Sequence, residues 1–219
     1  MKFIKSSVLA TVVLVSGCSM NATQPQIAAT PGLTPDAQAP VISSNPYELN
    51  RKAPSRKALG LYEQANAAID AQQWQKAELI LQELTVDYPQ LSGPWLSLGL
   101  VYLNSERPQD AVAALDTAVA VNPDNLDAYN LKAYVLRTEG EFSAAESTYQ
   151  QALAVWPEHA GSHLNLAILY DLYMGRFSDA ARHYDSYQQL QPEPDRRVAG
   201  WQADLKRRKQ VLATAGSGS

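Results

Sequence analysis

Four prolines set the frame of this chain: Pro89, Pro123, Pro157 and Pro192 follow one another at 34, 34 and 35 residues. Proline has no N–H and its ring clashes with the preceding turn, so each one closes whatever helix runs into it. The intervals between them carry matching marks. The second block holds Trp95, Leu98-Gly99 and Tyr102, then Ala111, Leu115 and Ala118 before Pro123. The third holds Tyr129, Ala133 and Leu136, then Ala145, Tyr149 and Ala152 before Pro157. The fourth has His163, Leu166-Ala167 and Tyr170, then Ala180, Tyr184 and Tyr187, with one extra residue near Met174-Gly175. The first is plainer: Leu61, Ala65 and Ala68, then Ala77, Leu81 and Leu84. Steps of three and four residues keep side chains on one face of a helix. A fixed period of this length is the sign of a repeat architecture.

Each block breaks in its middle, near Gln72-Gln73, Glu106-Arg107-Pro108, Gly140 or Gly175, so each predicts a helix-turn-helix unit. Gly99, Ala111 and Ala145 fall where two helices must approach closely, while Trp95, Tyr102 and Leu115 fill the space beside them. These residues resemble the tetratricopeptide repeat (TPR) pattern. The resemblance implies an all-α solenoid of about four helical hairpins, at 58–91, 92–125, 126–159 and 160–194. Gln64 and Lys132 stand where the family has Leu, and Leu61 and His163 where it has a large aromatic. After Pro192 and Pro194, residues 195–212 read as a capping helix with Val198, Trp201, Leu205 and Leu212 on its inner side, because a solenoid needs a polar-faced end. Residues 213–219 read as a flexible tail.

The N-terminus has a different character. Lys2 and Lys5 precede the apolar run Val8–Val15. Such a run covers about 12 Å as a helix, far short of the ~30 Å hydrocarbon core, so residues 1–17 read as an export signal and not a membrane span. The run ends in Val15-Ser16-Gly17-Cys18, which resembles the bacterial lipobox and implies acylation of Cys18, the one cysteine of the chain. Two or more acyl chains give stable anchoring. Ser19 in place of Asp implies, by resemblance to sorted lipoproteins, the outer membrane, with the folded part facing the periplasm. Residues 18–57 carry Pro25, Pro31, Pro35, Pro40, Pro46 and Pro54 among small polar residues and predict a flexible tether without a packed core.

The sequence offers little for chemistry. His159 and His163 have helical metal spacing, but one falls in a turn and the other at a packing position, and His183 has no evident partner. There is no phosphate loop or nucleophile elbow, and a formal charge of −4 gives no basic face for nucleic acid. The run Lys206-Arg207-Arg208-Lys209 reads as solvated cations near the end of the cap, complementing its dipole. No catalysis, metal, cofactor or small-molecule substrate is expected.

The resemblance implies that the first helix of each repeat lines a groove for a partner segment. By position this assigns Tyr62, Asn66 and Ile69; Leu96, Leu100, Leu103 and Asn104; Asn130, Leu131, Tyr134 and Arg137; and Leu164, Asn165, Ile168 and Asp171. Asparagines can pair with a peptide backbone while Leu, Ile and Tyr supply burial. The cationic clamp of the family's chaperone-tail binders is not matched, since Ser97, Asp127 and Leu131 replace its residues and only Asn66 agrees. The layout is similar to pilotins and assembly factors of pili and secretins. It implies an anchored adaptor or scaffold binding another envelope protein. A permanent subunit of an envelope complex, or a scaffold for peptidoglycan enzymes, has the same layout.

Overall fold

The computed structural model describes residues 43–50 and 53–216; the expected export signal, Cys18 and most of the expected tether lie outside the described residues. Among the described residues ten α-helices follow in order: α1 (Pro46–Asn50), α2 (Arg56–Asp70), α3 (Trp74–Asp87), α4 (Ser92–Asn104), α5 (Pro108–Val121), α6 (Leu126–Thr138), α7 (Phe142–Val155), α8 (Ala160–Ile168), α9 (Phe177–Gln189) and α10 (Arg196–Gly216). No strand occurs among the described residues. Helices α2/α3, α4/α5, α6/α7 and α8/α9 form antiparallel hairpins, and each second helix packs on the first helix of the next repeat.

The hairpin turns explain the breaks read from sequence. Gln72, Glu106, Gly140 and Gly175 all adopt positive φ, at 55°, 59°, 84° and 64°. In the first three, the next residue's N–H bonds back five residues: Gln73 to Ala68, Arg107 to Tyr102, and Glu141 to Leu136, at 2.8–2.9 Å. The left-handed residue bonds back three, to Ile69, Leu103 and Arg137. This is the Schellman termination, which satisfies the last carbonyls of a helix. Pro108 then starts α5 at a position where a missing N–H costs nothing.

The fourth hairpin contains the extra residue, and the structure absorbs it as a π-helical turn over Leu169–Tyr173. Met174 N–H bonds to Leu169 O at 3.1 Å, a five-residue step in place of four. The wider turn keeps Leu169 and Tyr170 in the core while Leu172 and Tyr173 swing outward.

Packing follows the small-residue marks. Ala65, Ala77, Ala111, Ala145 and Ala180 are fully buried, and Leu81, Leu115, Tyr149 and Tyr184 fill the space between helices. A Cβ on Gly99 would lie 2.5 Å from Leu115 Cγ, so only glycine admits this approach of α5 to α4. The apolar clusters form a series in which each repeat shares its core with the next, as a solenoid must. One clasp occurs twice. Arg107 bonds Asp110 and reaches back to Glu78 at 2.9 Å, stacked 4.4 Å over Tyr102, whose hydroxyl accepts from Gln82. Arg176 repeats this with Asp179, Glu146 at 2.7 Å, Tyr170 at 4.3 Å and Gln150.

Two expectations change. The stretch from 43 to 57 is not bare tether: it contains α1, and α2 begins at Arg56, with Ser55 Oγ accepting from Ala58 N–H. A five-residue helix has no periodicity to read and is held by distant contacts. Ser43 accepts from Trp156 Nε1 at 2.8 Å and donates to Glu158, and Asn50 donates to Asp124 at 2.7 Å. At the other end, α10 continues through Gly216, so Lys206–Lys209 sit in mid-helix and the dipole account fails. Val198 and Leu205 are its buried residues, whereas Trp201 is half-exposed beside Tyr184 and Leu212 is exposed. Arg208 is not merely solvated: it bonds Asp204 and, at 2.7 Å, Asp171 of repeat four.

Candidate partner-binding groove

The first helices of neighbouring repeats touch directly, α4 on α6 and α6 on α8, while the second helices do not pack on each other to that extent. The first helices therefore line the inner side of the curve. Most of the residues assigned by position are part-exposed there. Leu96, Leu100, Leu103, Leu131, Leu164 and Ile168 are half-buried, and Asn66 and Asn104 are exposed. Leu96, Leu103 and Leu131 rest on the core between repeats two and three, and Leu164 and Ile168 on the core of repeat four. Burial of one face fixes these side chains and leaves the other toward solvent.

The asparagines are partly engaged already. Asn165 Nδ2 donates to Asn130 Oδ1 at 3.0 Å, a bridge between repeats three and four, and Asn104 Nδ2 donates to Leu100 O at 2.8 Å. One donor is used in each case, so the second amide hydrogen is available to a ligand. Tyr62 bonds Ser97 at 2.9 Å and, with its neighbour Ile69, rests on the first core. Tyr62 also opens onto a cleft of about 620 Å³ that α1 walls through Tyr47.

Two charged residues assigned to the groove are largely enclosed there. Asp171 is buried, held by Tyr184 Oη at 3.3 Å and by Arg208, because α10 crosses the end of the fourth repeat. Arg137 is only 9% exposed. It lies between the rings of Tyr134 and Tyr173, at 5.0 and 5.4 Å from their centroids. Tyr173 in turn meets Phe142 at 5.3 Å. The sequence reading missed Tyr173 and Leu172, both exposed; the signal was the one-residue insertion, which turns this segment outward.

His183 does have a partner. Its Nδ1 lies 2.9 Å from Nδ1 of His163, whose Nε2 bonds Pro157 O at 2.8 Å. With Nε2–H donating to the carbonyl, His163 Nδ1 accepts and His183 donates, and both rings are neutral. Burial holds both below the ordinary histidine value, and His183, which also feels His163 and Arg182, falls to about 4. Trp95 Nε1 bonds Pro89 O in the equivalent place, so His163 substitutes for the family aromatic as a packing and turn-fixing residue. Among the described residues no three His, Cys, Asp or Glu side chains converge as a metal site.

A curved stack of helical hairpins with a part-apolar inner face defines a binding solenoid. Tetratricopeptide repeat models match residues 48–90, 96–146 and 130–193, which together span more than half of the sequence; the chain belongs to the tetratricopeptide repeat family. The uncharacterized protein y4yS of Sinorhizobium fredii is 46% identical over 61 residues, 28% of this chain and 34% of the relative. The chain thus spans about a third of the length of that curated relative. The solved structure of PilF from Pseudomonas aeruginosa is similar with a TM-score of 0.63 at 17% identity, over 73% of this chain and 72% of PilF. YrrB, described as a TPR protein with an unusual peptide-binding site, gives 0.54 at 23% identity, over 70% and 75%. At these identities the likeness shows the fold alone.

Proposed function

We propose that this chain is a lipid-anchored adaptor of the bacterial envelope, held in the outer membrane through Cys18 and facing the periplasm. Its groove takes a segment of another envelope protein during assembly of a complex such as a pilus or secretion apparatus. The observation that carries the reading is the half-buried row Leu96, Leu100, Leu103, Leu131 and Ile168 along the first helices, interleaved with asparagines that keep free donors. Such a surface suits an extended or helical peptide, whose apolar side chains fill the row while its backbone meets the amides. The peptide-binding description of YrrB supports the use of this fold for such a task. The anchor rests on the Val15-Ser16-Gly17-Cys18 sequence.

The test is capture from native membranes in mild detergent with wild type and Leu100→Glu. Leu100 is part-exposed, so a charge there leaves folding largely intact. In a partner interface the same charge is desolvated and unpaired, and affinity drops by about 2 kcal/mol or more, roughly thirtyfold. Loss of one envelope protein from the mutant sample is the expected result. Equal recovery by both proteins would refute the groove. For the anchor, labelled palmitate should enter the wild type and not Cys18→Ser.

A further inference from the structure

Arg137 is unusual among the described residues. Its Nε and Nη1 are fully enclosed and make no hydrogen bond, and no described carboxylate forms an ion pair with it. Tyr149 Oη, also enclosed and unbonded, belongs to the same cluster, since its ionisation responds to the charge of Arg137 and to Tyr134 and Tyr173. A guanidinium cannot escape this cost by losing its proton. A buried charge without a counter-ion is strongly unfavourable, and two ring faces at 5.0 and 5.4 Å offset only part of that. A trapped water would fill a hydrogen bond but would not neutralise the charge. Polar groups left this way in a native fold call for a missing partner.

We infer that Arg137 is a carboxylate-binding site in the groove, completed by an aspartate or glutamate side chain of the bound partner segment. Every unsatisfied group here can donate: two guanidinium nitrogens and a tyrosine hydroxyl kept neutral by burial. Either edge of the guanidinium matches the two oxygens of one planar carboxylate. Tyr134 and Tyr173, 38% and 46% exposed, are the walls, and since the cation is enclosed a ligand reaches it only by displacing one of these part-exposed rings. The residue lies on α6, in the third of the four hairpins, so a segment passing along the groove presents a side chain here and not its end. The site differs from the family's tail clamp, whose positions carry Ser97, Asp127 and Leu131 in this chain. The inference rests on the groove reading for its biological ligand, though not for its chemistry.

The test uses the full chain with three small probes: N-acetylglutamate α-amide, its neutral glutamine counterpart, and N-acetylglycine as a terminal carboxylate. The Nε–H resonance of Arg137, identified by its absence in Arg137→Met, should shift saturably with the glutamate probe and not with the glutamine probe. No shift, or equal shifts with both, overturns the site; a shift with N-acetylglycine alone overturns the side-chain source. Because the cation is unpaired, Arg137→Met should melt at the same or a higher temperature than wild type, and glutamate should raise the melting point of the wild type only. A sharp fall in the variant would mean that Arg137 is structural and would end the proposal. In membrane capture, partner retention by Arg137→Met alongside loss by Leu100→Glu would keep the groove and discard the carboxylate. The resonance shift together with retention by Leu100→Glu would keep the pocket and discard the groove.

Discussion

At the scale of single residues, the four hairpin turns ask for one backbone conformation and fill it unequally. Gly140 and Gly175 adopt positive φ without penalty, whereas Gln72 and Glu106 hold side chains in the same region. A non-glycine residue there costs about 1–2 kcal/mol, and glycine gives back roughly 0.5–1 through the greater freedom of the unfolded chain. Glu106→Gly should therefore stabilise the protein by about 0.5 kcal/mol, seen as a higher urea midpoint with an unchanged slope. A lower midpoint would show that the Glu106 side chain contributes more than its backbone costs. The opposite outcome belongs to Gly99. A methyl group there meets Leu115 Cγ at 2.5 Å, and Leu115 is fully buried with nowhere to retreat. Gly99→Ala should cost about 1–3 kcal/mol by overpacking, measured in the same urea experiment.

At the scale of helices, α8 and α9 are joined by the His163–His183 pair, and this contact makes the fourth repeat sensitive to acid. His183 titrates near 4 in the folded chain, against an ordinary 6.5, because burial resists its charge. His163 and His159 are shifted in the same direction, also by burial. Above about pH 6.5 these rings are neutral in both states and the contribution is complete. Between 6.5 and 4 the unfolded chain takes up protons that the folded chain refuses, so stability falls as pH falls, and below about 4 His183 adds no further loss. For a partly exposed ring the effect is about 1–2 kcal/mol after screening. His183→Gln should flatten the decline of melting temperature between pH 7 and 4, and an unchanged decline would assign it to the carboxylates. The helices themselves were legible because a period of 34 and steps of three and four are local properties of the sequence. What was not legible depends on which helix lies across which. The Asp171–Arg208 pair follows from the path of α10, the burial of Arg137 from the outward turn of Tyr173, and the pairing of His183 from the rotation of α9. None of these leaves a mark within its own helix.

At the scale of the whole molecule, the segment leading into the repeats runs against their order. Ser43 sits at the turn after α7, between Trp156 and Glu158, and Asn50 at the turn after α5, on Asp124. Pro54 then joins Leu91 and Gly93 around the cleft at the turn after α3. The segment therefore crosses three inter-repeat turns in reverse, so Ser43 lies beside the end of the third repeat and not beside the first. The segment also ties repeats whose cores otherwise meet only their neighbours. The bonds are few and lie at the surface, so the segment should open far more easily than the hairpins beneath it. Removing these three polar bonds, with Ser43→Ala, Asn50→Ala and Trp156→Phe together, should release residues 43–50 without melting the repeats. Phenylalanine keeps the ring of Trp156 and removes only the N–H that Ser43 accepts. Amide exchange in residues 43–50 should then speed up markedly, while α4 to α7 keep the protection of the wild type. Unchanged exchange in the segment would mean that these three polar bonds are not what holds it in place. Faster exchange throughout α4 to α7 would mean that the segment is a brace for the solenoid as a whole.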